Sequence, residues 1–274
     1  MTPRREVIGN AELWLGDARE ILPSVAVVDM IFTDPPYGHN NNNGDLIARW
    51  EEALGGGKGT SSIENFRPIA NDGAEANDLI QWAFGEFNRL LMPGCCCCCC
   101  GGGGGPDPQF ARWSLWLDQH LDFKQMIVWD KGAMGMGWHY RHSYETVLVA
   151  QQPGAACRWF DDTRAVENII RPGTYGIRKI IPSADDHPTP KPWQLAAHFI
   201  RLHSQPGDLV LDPFMGGNST GEAAIREGRR FVGIEMDPEH YARAVTRIEA
   251  AQRQADLFVP RAEPPPKPVQ EAML

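Results

Sequence analysis

The 274-residue chain has no apolar run long enough to cross a bilayer, and nothing behind Met1-Thr2-Pro3-Arg4-Arg5 has the apolar core of a signal peptide. A soluble, cytoplasmic protein is therefore expected. No Gly-x-Gly-x-x-Gly is present, which argues against a dinucleotide. Gly55-Gly56-Gly57-Lys58-Gly59-Thr60 has the wrong spacing for a P-loop. There is no internal repeat. Cysteine is scarce outside one tract: six of the seven stand at Cys95 to Cys100. Cys95 and Cys98 have C-x-x-C spacing, but no second such pair accompanies them, and successive strand residues point to opposite faces. The tract reads as a strand of small apolar side chains, and no metal site is expected. Positive charge is also short: 26 Lys and Arg stand against 35 Asp and Glu, a formal net charge of −9. A uniformly basic nucleic-acid binder is excluded. Between Lys131 and Lys179, however, seven basic residues face four acidic ones.

Two segments carry chemistry. Val27 to Phe32 is a short apolar, β-branched run that reads as a buried strand, and Thr33-Asp34-Pro35-Pro36-Tyr37 follows it. The prolines stop the strand, fix the backbone and leave carbonyls with no local amide partner. An acid, a rigid turn and an aromatic ring are thus presented at a strand's carboxyl end, where open α/β sheets bind ligands. The set suits a planar amine: Asp34 and a proline carbonyl accept its hydrogens while Tyr37 stacks on its ring. A proline-terminated strand with a buried tyrosine is the plainer alternative.

The second segment begins at Gly207 to Leu211, another buried strand, and runs into Asp212-Pro213-Phe214-Met215-Gly216-Gly217-Asn218-Ser219-Thr220-Gly221. A helix follows from Glu222 to Glu227, then a strand from Phe231 to Ile234 that ends on Glu235, 23 positions after Asp212. Strand, small-residue turn, helix and acid-tipped strand make a nucleoside site. The turn admits the ligand to the backbone and the acid accepts ribose hydroxyls. An ordinary βαβ turn is the alternative.

Together these segments resemble the S-adenosylmethionine-dependent DNA amino-methyltransferases, which methylate exocyclic amines. Asp34-Pro35-Pro36-Tyr37 matches their catalytic motif and Asp212-Pro213-Phe214 the start of their cofactor motif. His187-Pro188-Thr189-Pro190-Lys191-Pro192 and Leu15-Gly16-Asp17-Ala18 are two further matches. The order, catalytic motif first, is that of the permuted class called β. One departure is Gly216-Gly217-Asn218 where the family usually has Gly-Ser-Gly. Asn tolerates a left-handed backbone, so the turn is expected to form.

The resemblance implies an α/β fold: a Rossmann-like, doubly wound mixed sheet with circularly permuted motif order. It implies Asp34, Pro35, Pro36 and Tyr37 as catalytic residues, with S-adenosyl-L-methionine as cofactor. The cofactor residues would be Asp17, Thr33, Asp34, His187, Thr189, Lys191, Asp212, Pro213, Phe214, Gly216, Asn218, Ser219, Thr220 and Glu235. His187, Thr189 and Lys191 are assigned to its amino-acid part and Asp17 to its adenine end. The partner implied is double-stranded DNA. A homodimer and a cognate restriction enzyme are further candidates, and the source would be a bacterium or a phage.

One methyltransferase domain is expected over residues 1–256. It comprises a catalytic half (12–150), a small target-recognition insertion (151–186) and a cofactor half (187–256). A disordered Pro-rich tail follows over 257–274. Residues 38 to about 73 read as a long loop after the catalytic motif, expected to act as a flap. Candidate DNA contacts are Trp138, His139, Tyr140 and Arg141, with Arg158, Arg171, Arg178 and Lys179 further on. Trp113 and Trp116 read as core, the first 37 residues as two strands of the sheet joined by a short helical link at Ala18 to Leu22, and Gly101 to Gly105 as a flexible connection. An Asp at the first catalytic position leans towards adenine N6. Cytosine N4, an RNA or protein amide, and a DNA-binding module without turnover remain alternatives.

Overall fold

The structure is a computed structural model that describes residues 2–38, 73, 75–102, 109–132, 140–180 and 191–254. The expected flap and the tail lie almost wholly outside the described residues. Nine strands form one sheet among the described residues: β1 (Arg4–Ile8), β2 (Ala11–Leu15), β3 (Val28–Thr33), β4 (Leu91–Gly102), β5 (Asp122–Asp130), β6 (Tyr144–Gln151), β7 (Ile169–Ile170), β8 (Leu209–Asp212) and β9 (Arg230–Glu235). Their spatial order is β1-β2-β9-β8-β3-β4-β6-β5-β7. β1 is antiparallel to β2, and β6 is antiparallel to both its neighbours. The other pairings are parallel. The carboxyl ends of β2, β9, β8, β3, β4 and β5 therefore share one edge with the start of β6.

Among the described residues, six α-helices cover the two faces: α1 (Ala18–Ile21), α2 (Ala76–Leu90), α3 (Gln109–Asp118), α4 (Trp193–His203), α5 (Ser219–Arg226) and α6 (Pro238–Arg253). The cysteine tract lies at the centre of the packing. Cys95, Cys97 and Cys99 pack with α1, α2 and α3, while Cys98 and Cys100 pack with α4, α5 and α6. All six are buried, as the alternation of a strand flanked by helices on both sides requires. Trp113 is buried with Phe84 and Phe87, each ring worth roughly 1.5–3 kcal/mol of burial.

Two details differ from the sequence reading. The first 37 residues hold three strands rather than two, because β1 is a mostly exposed edge strand whose charged side chains hide its period. Gly101 and Gly102 belong to β4, paired with Thr146 and Glu145, rather than to a flexible connection. Among the described residues, no helix is long and apolar enough to cross a membrane.

Candidate active site

β3 and β8 are adjacent and parallel, so Thr33 and Asp212 meet at their carboxyl ends. The Thr33 hydroxyl donates to Asp212 Oδ1 at 2.8 Å, with both residues buried. This bond fastens the Asp-Pro-Pro-Tyr segment to the Asp212 turn across 179 residues of chain. The next residue, Asp34, accepts from the Tyr37 hydroxyl at Oδ1 (2.7 Å) and from Lys191 Nζ at Oδ2 (2.7 Å). The Tyr37 carbonyl accepts from buried Gln109 Nε2 at 2.7 Å, and its ring meets Trp113 edge-on at 6.0 Å. Backbone, hydroxyl and ring of Tyr37 are all fixed. Burial, and then the Asp34 charge, push its phenol well above the usual value, so the hydroxyl stays a donor.

Lys191 is the hub of a buried charge cluster. Besides Asp34, its ammonium lies 3.2 Å from the Tyr37 oxygen, 3.2 Å from Glu145 Oε2 and 5.3 Å from the Tyr37 ring centroid. Glu145 also pairs with Lys131 Nζ at 3.0 Å. Burial alone would lower the Lys191 pKa, but the Asp34 and Glu145 carboxylates reverse this and raise it. Burial likewise works to raise Glu145, and the two lysines overcome it to hold the carboxyl below its usual value. Sequence reasoning counted Glu145 and Lys131 only as charges. The available signal was an acid opening a strand that is otherwise Thr146-Val147-Leu148-Val149-Ala150.

The Asp212 turn is held by a second set of hydrogen bonds. Asp212 Oδ1 also accepts from the Phe214 amide at 3.1 Å, and burial raises its pKa to about 6 against the opposing Thr220 and Thr33 hydroxyls. Met215 N donates to the Ile234 carbonyl at 3.0 Å, laying the turn against β9. Glu235 accepts the Gly216 amide at Oε2 (2.9 Å) and the Asp237 amide at Oε1 (2.7 Å), and burial raises it to about 7. Asn218 adopts φ 60°, ψ 41°, the left-handed conformation expected of it, and caps α5 by accepting the Gly221 amide at 3.0 Å. Its Nδ2 is buried with no protein acceptor among the described residues. Such an amide donor, beside two acids at a small-residue turn, fits a polar nucleoside ligand.

Other predicted residues fall into four groups. Asp17 stands beside Glu235, because Gly16 N donates to the Glu235 carbonyl at 2.8 Å. Its own carboxylate caps α1 and pairs with Arg19 at 2.8 Å. Tyr140, Arg141, Arg171, Arg178 and Lys179 are exposed. Arg171, Arg178 and Lys179 follow β7, which pairs in parallel with the carboxyl end of β5, so they leave the sheet at the edge that carries Asp34. Arg158 corrects the sequence reading. Its guanidinium pairs with Asp29 (2.8 Å) and Asp208 (2.7 Å), which stand near the starts of β3 and β8. It clamps the opposite edge of the sheet rather than meeting DNA beside Asp34. Trp138, His139, His187 and Thr189 lie outside the described residues.

Comparison with known proteins agrees with this geometry. A model of the N6/N4 DNA methylase family matches residues 28–246. The chain is 27% identical over 269 residues to the DNA adenine methyltransferase YhdJ of Escherichia coli K12, covering 86% of this chain and 82% of that protein. It is 26% identical over 246 residues to the type II methyltransferase M2.DpnII of Streptococcus pneumoniae, covering 81% and 83%. The fold is similar to that of the M1.HpyAVI–SAM complex, with a TM-score of 0.60 and 23% identity over 87% of this chain and 98% of that one. The protein belongs to the N6/N4 family of DNA methylases, because the family match spans both the catalytic and the Asp212 motifs.

Proposed function

We propose that the protein transfers a methyl group from S-adenosylmethionine to the N6 amine of an adenine flipped out of duplex DNA. The observation that carries this reading is the Thr33–Asp212 hydrogen bond. It sets Asp34, Tyr37 and the proline carbonyls at a fixed offset from the Asp212–Glu235 cradle. The sulfonium ligand supplies an electrophilic methyl. Glu235 and Asp212 keep unused lone pairs for hydroxyl or ammonium donors, and Asn218 Nδ2 supplies an amide hydrogen. Asp17 lines the adenine side of the cradle. His187 and Thr189, which lie outside the described residues, keep in this reading their assignment to the amino-acid part of the cofactor.

An aromatic amine is a poor nucleophile because its lone pair is delocalised into the ring. Asp34 and the Pro35 carbonyl accept its two hydrogens and draw the nitrogen towards tetrahedral geometry. Preorganised acceptors of this kind supply much of the rate enhancement. Tyr37 stacks on the extruded base and recovers about 1–3 kcal/mol of the unstacking cost. Adenine is preferred to cytosine N4 on the Asp at position 34 and on the adenine specificity carried in the name of the Escherichia coli relative.

Residues 1–256 act as one domain in this reading, with 151–186 as target recognition. Tyr140, Arg141, Arg171, Arg178 and Lys179 supply the charge and aromatic contact to DNA. Trp138 and His139 precede them in sequence. A cytoplasmic location, a homodimer and a cognate restriction enzyme complete the proposal, the last supported by the type II relative.

The test incubates purified protein with radiolabelled S-adenosylmethionine and unmethylated duplex DNA, then digests the DNA to nucleosides. Label in N6-methyladenosine supports the reading, and label in N4-methylcytidine replaces the base while keeping the mechanism. No label in either overturns it.

A further inference from the structure

A second cluster of reactive side chains lies away from Asp34, on the face of the sheet covered by α4. Cys96, Cys157 and His203 each bring one ligand atom, and these atoms all lie within 4.8 Å of one another. The two sulfurs are 3.5 Å apart. Two thiolates on a tetrahedral zinc, at about 2.3 Å each, stand roughly 3.8 Å apart, so the spacing already approaches a chelate. Cys96 and His203 are buried, and Cys157 is exposed.

The backbone builds this arrangement deliberately. Gly94, at φ 85°, lies so close to the Ala156 carbonyl that a Cβ there would collide with it, and the Gly94 carbonyl accepts the Arg158 amide at 2.9 Å. Cys157 is thereby laid beside Cys96. Arg158 anchors the same segment through Asp29 and Asp208, and the Phe160 amide donates to the Leu202 carbonyl at 2.9 Å. The His203 ring is set by Trp159, edge-on at 5.2 Å, and its Nδ1 lies 3.4 Å from the Arg158 carbonyl. A metal-ligating histidine is ordinarily oriented by such a neighbour. The three residues open onto a cleft of about 500 Å³ between β5 and α4, lined also by Ile127, Val149 and Phe199.

We propose that Cys96, Cys157 and His203 bind a thiophilic divalent cation of the zinc type, with the fourth position open to this cleft for a water molecule. Two thiols and an imidazole select zinc over magnesium or calcium, and three protein ligands with a vacant fourth position are a known zinc geometry. On binding, each thiol gives its proton to the solvent. The ion ties the 155–160 segment to β4 and α4, at the opening of the region proposed to recognise DNA. The C-x-x-C spacing considered from the sequence is not involved: Cys95 and Cys98 face opposite sides of the sheet.

The test uses the full chain, reduced and metal-stripped, titrated with Co²⁺ and then with Zn²⁺. One Co²⁺ per chain with a thiolate charge-transfer band, displaced by Zn²⁺, is expected. Cys157→Ser, at an exposed position, should remove the band and weaken Zn²⁺ binding at least about 10-fold, since losing a ligand costs at least as much as losing an outer-shell partner. His203→Gln should weaken Zn²⁺ binding as well while the thiolate band of Cys96 and Cys157 persists. An unchanged band in Cys157→Ser would place the metal on the cysteine tract and overturn the proposal. So would the absence of any band. The readout is metal binding, so its failure is separable from failure of methyl transfer.

Discussion

Lys191 Nζ lies 2.7 Å from Asp34 Oδ2, so a lysine amine holds one hydrogen-bonding position of the carboxylate proposed to receive the target amine. The sequence assigned this lysine to the amino-acid part of the cofactor. In the fold it locks the orientation of Asp34 and joins it to Glu145 and Lys131. Charge balance at the proposed catalytic acid is therefore set by residues from three distant parts of the chain.

Asp34 should dominate turnover. Asp34→Ala is expected to lower kcat by about 10²- to 10⁴-fold while leaving S-adenosylmethionine affinity nearly unchanged, because the cradle around Glu235 does not include it. Single-turnover transfer and isothermal titration on the same preparation check both halves. Substantial residual activity would remove Asp34 from the mechanism.

Lys191→Met should be costly to stability as well as to rate. It leaves Asp34 and Glu145 without their shared cation, and breaking a buried pair costs roughly 3–5 kcal/mol. The lower end is expected here, since the Asp34 side chain is 24% exposed. Adding Glu145→Gln should recover part of the loss, with a coupling of about 0.5–3 kcal/mol. Urea unfolding of the four proteins of the cycle measures it, and strict additivity would refute the coupling.

Cofactor affinity should rise with pH. Burial raises Glu235 to about 7, above the usual carboxylate range, so in the free protein it takes up a proton as pH falls through neutrality. Hydroxyl donors bind the carboxylate best, so binding releases this proton. Affinity should increase by up to about tenfold per pH unit below about pH 7 and level off above it. The sign for stability is opposite: a raised carboxyl favours the fold at low pH, and that contribution is lost as pH rises through about 7. Glu235→Gln should flatten the affinity profile, leaving only the smaller dependence from Asp212 near 6.

Asn218 combines a left-handed backbone with a helix cap, and substitutions separate the two. Asn218→Gly keeps the conformation and loses the cap, at a cost of only a few tenths of a kcal/mol. Asn218→Ala loses both and should cost roughly 2 kcal/mol, the sum of about 1 for the cap and 1–2 for the left-handed backbone, less relaxation. Thermal melts with and without S-adenosylmethionine should rank Gly above Ala. The reverse order would show that Asn218 is held for another reason.

Two sets of arginines should behave oppositely. Arg158→Ala is expected to lower Tm, since it leaves Asp29 and Asp208 unpaired at part-buried positions. The salt dependence of DNA binding should not change. Arg178→Ala and Lys179→Ala should each reduce the slope of log affinity against log salt by about 1, with Tm unchanged. A salt slope altered by Arg158→Ala would return that residue to the DNA surface.

Local chemistry determined much of this protein directly from its sequence. The β-branched run into Thr33-Asp34-Pro35-Pro36-Tyr37 fixed a strand with a rigid acidic end. The spacing from Asp212 to Glu235 fixed the second acid-tipped unit, and Asn218 could be read as left-handed because few other side chains adopt that conformation. The run of small apolar side chains from Cys95 to Cys100 read as a strand, and the fold buries it on both faces. Each of these is read from one contiguous stretch of chain, none longer than the 23 positions from Asp212 to Glu235. The tertiary structure alone decided which distant charges meet. Glu145, Lys131 and Lys191 converge on Asp34 because an antiparallel β6 inserts between β4 and β5 and returns its first residues to the catalytic edge. Arg158 was drawn to the opposite edge, and Cys157 and His203 to Cys96, by loop and helix placements that no sequence period encodes. Long-range pairing depends on strand order, and strand order is a property of the packed sheet.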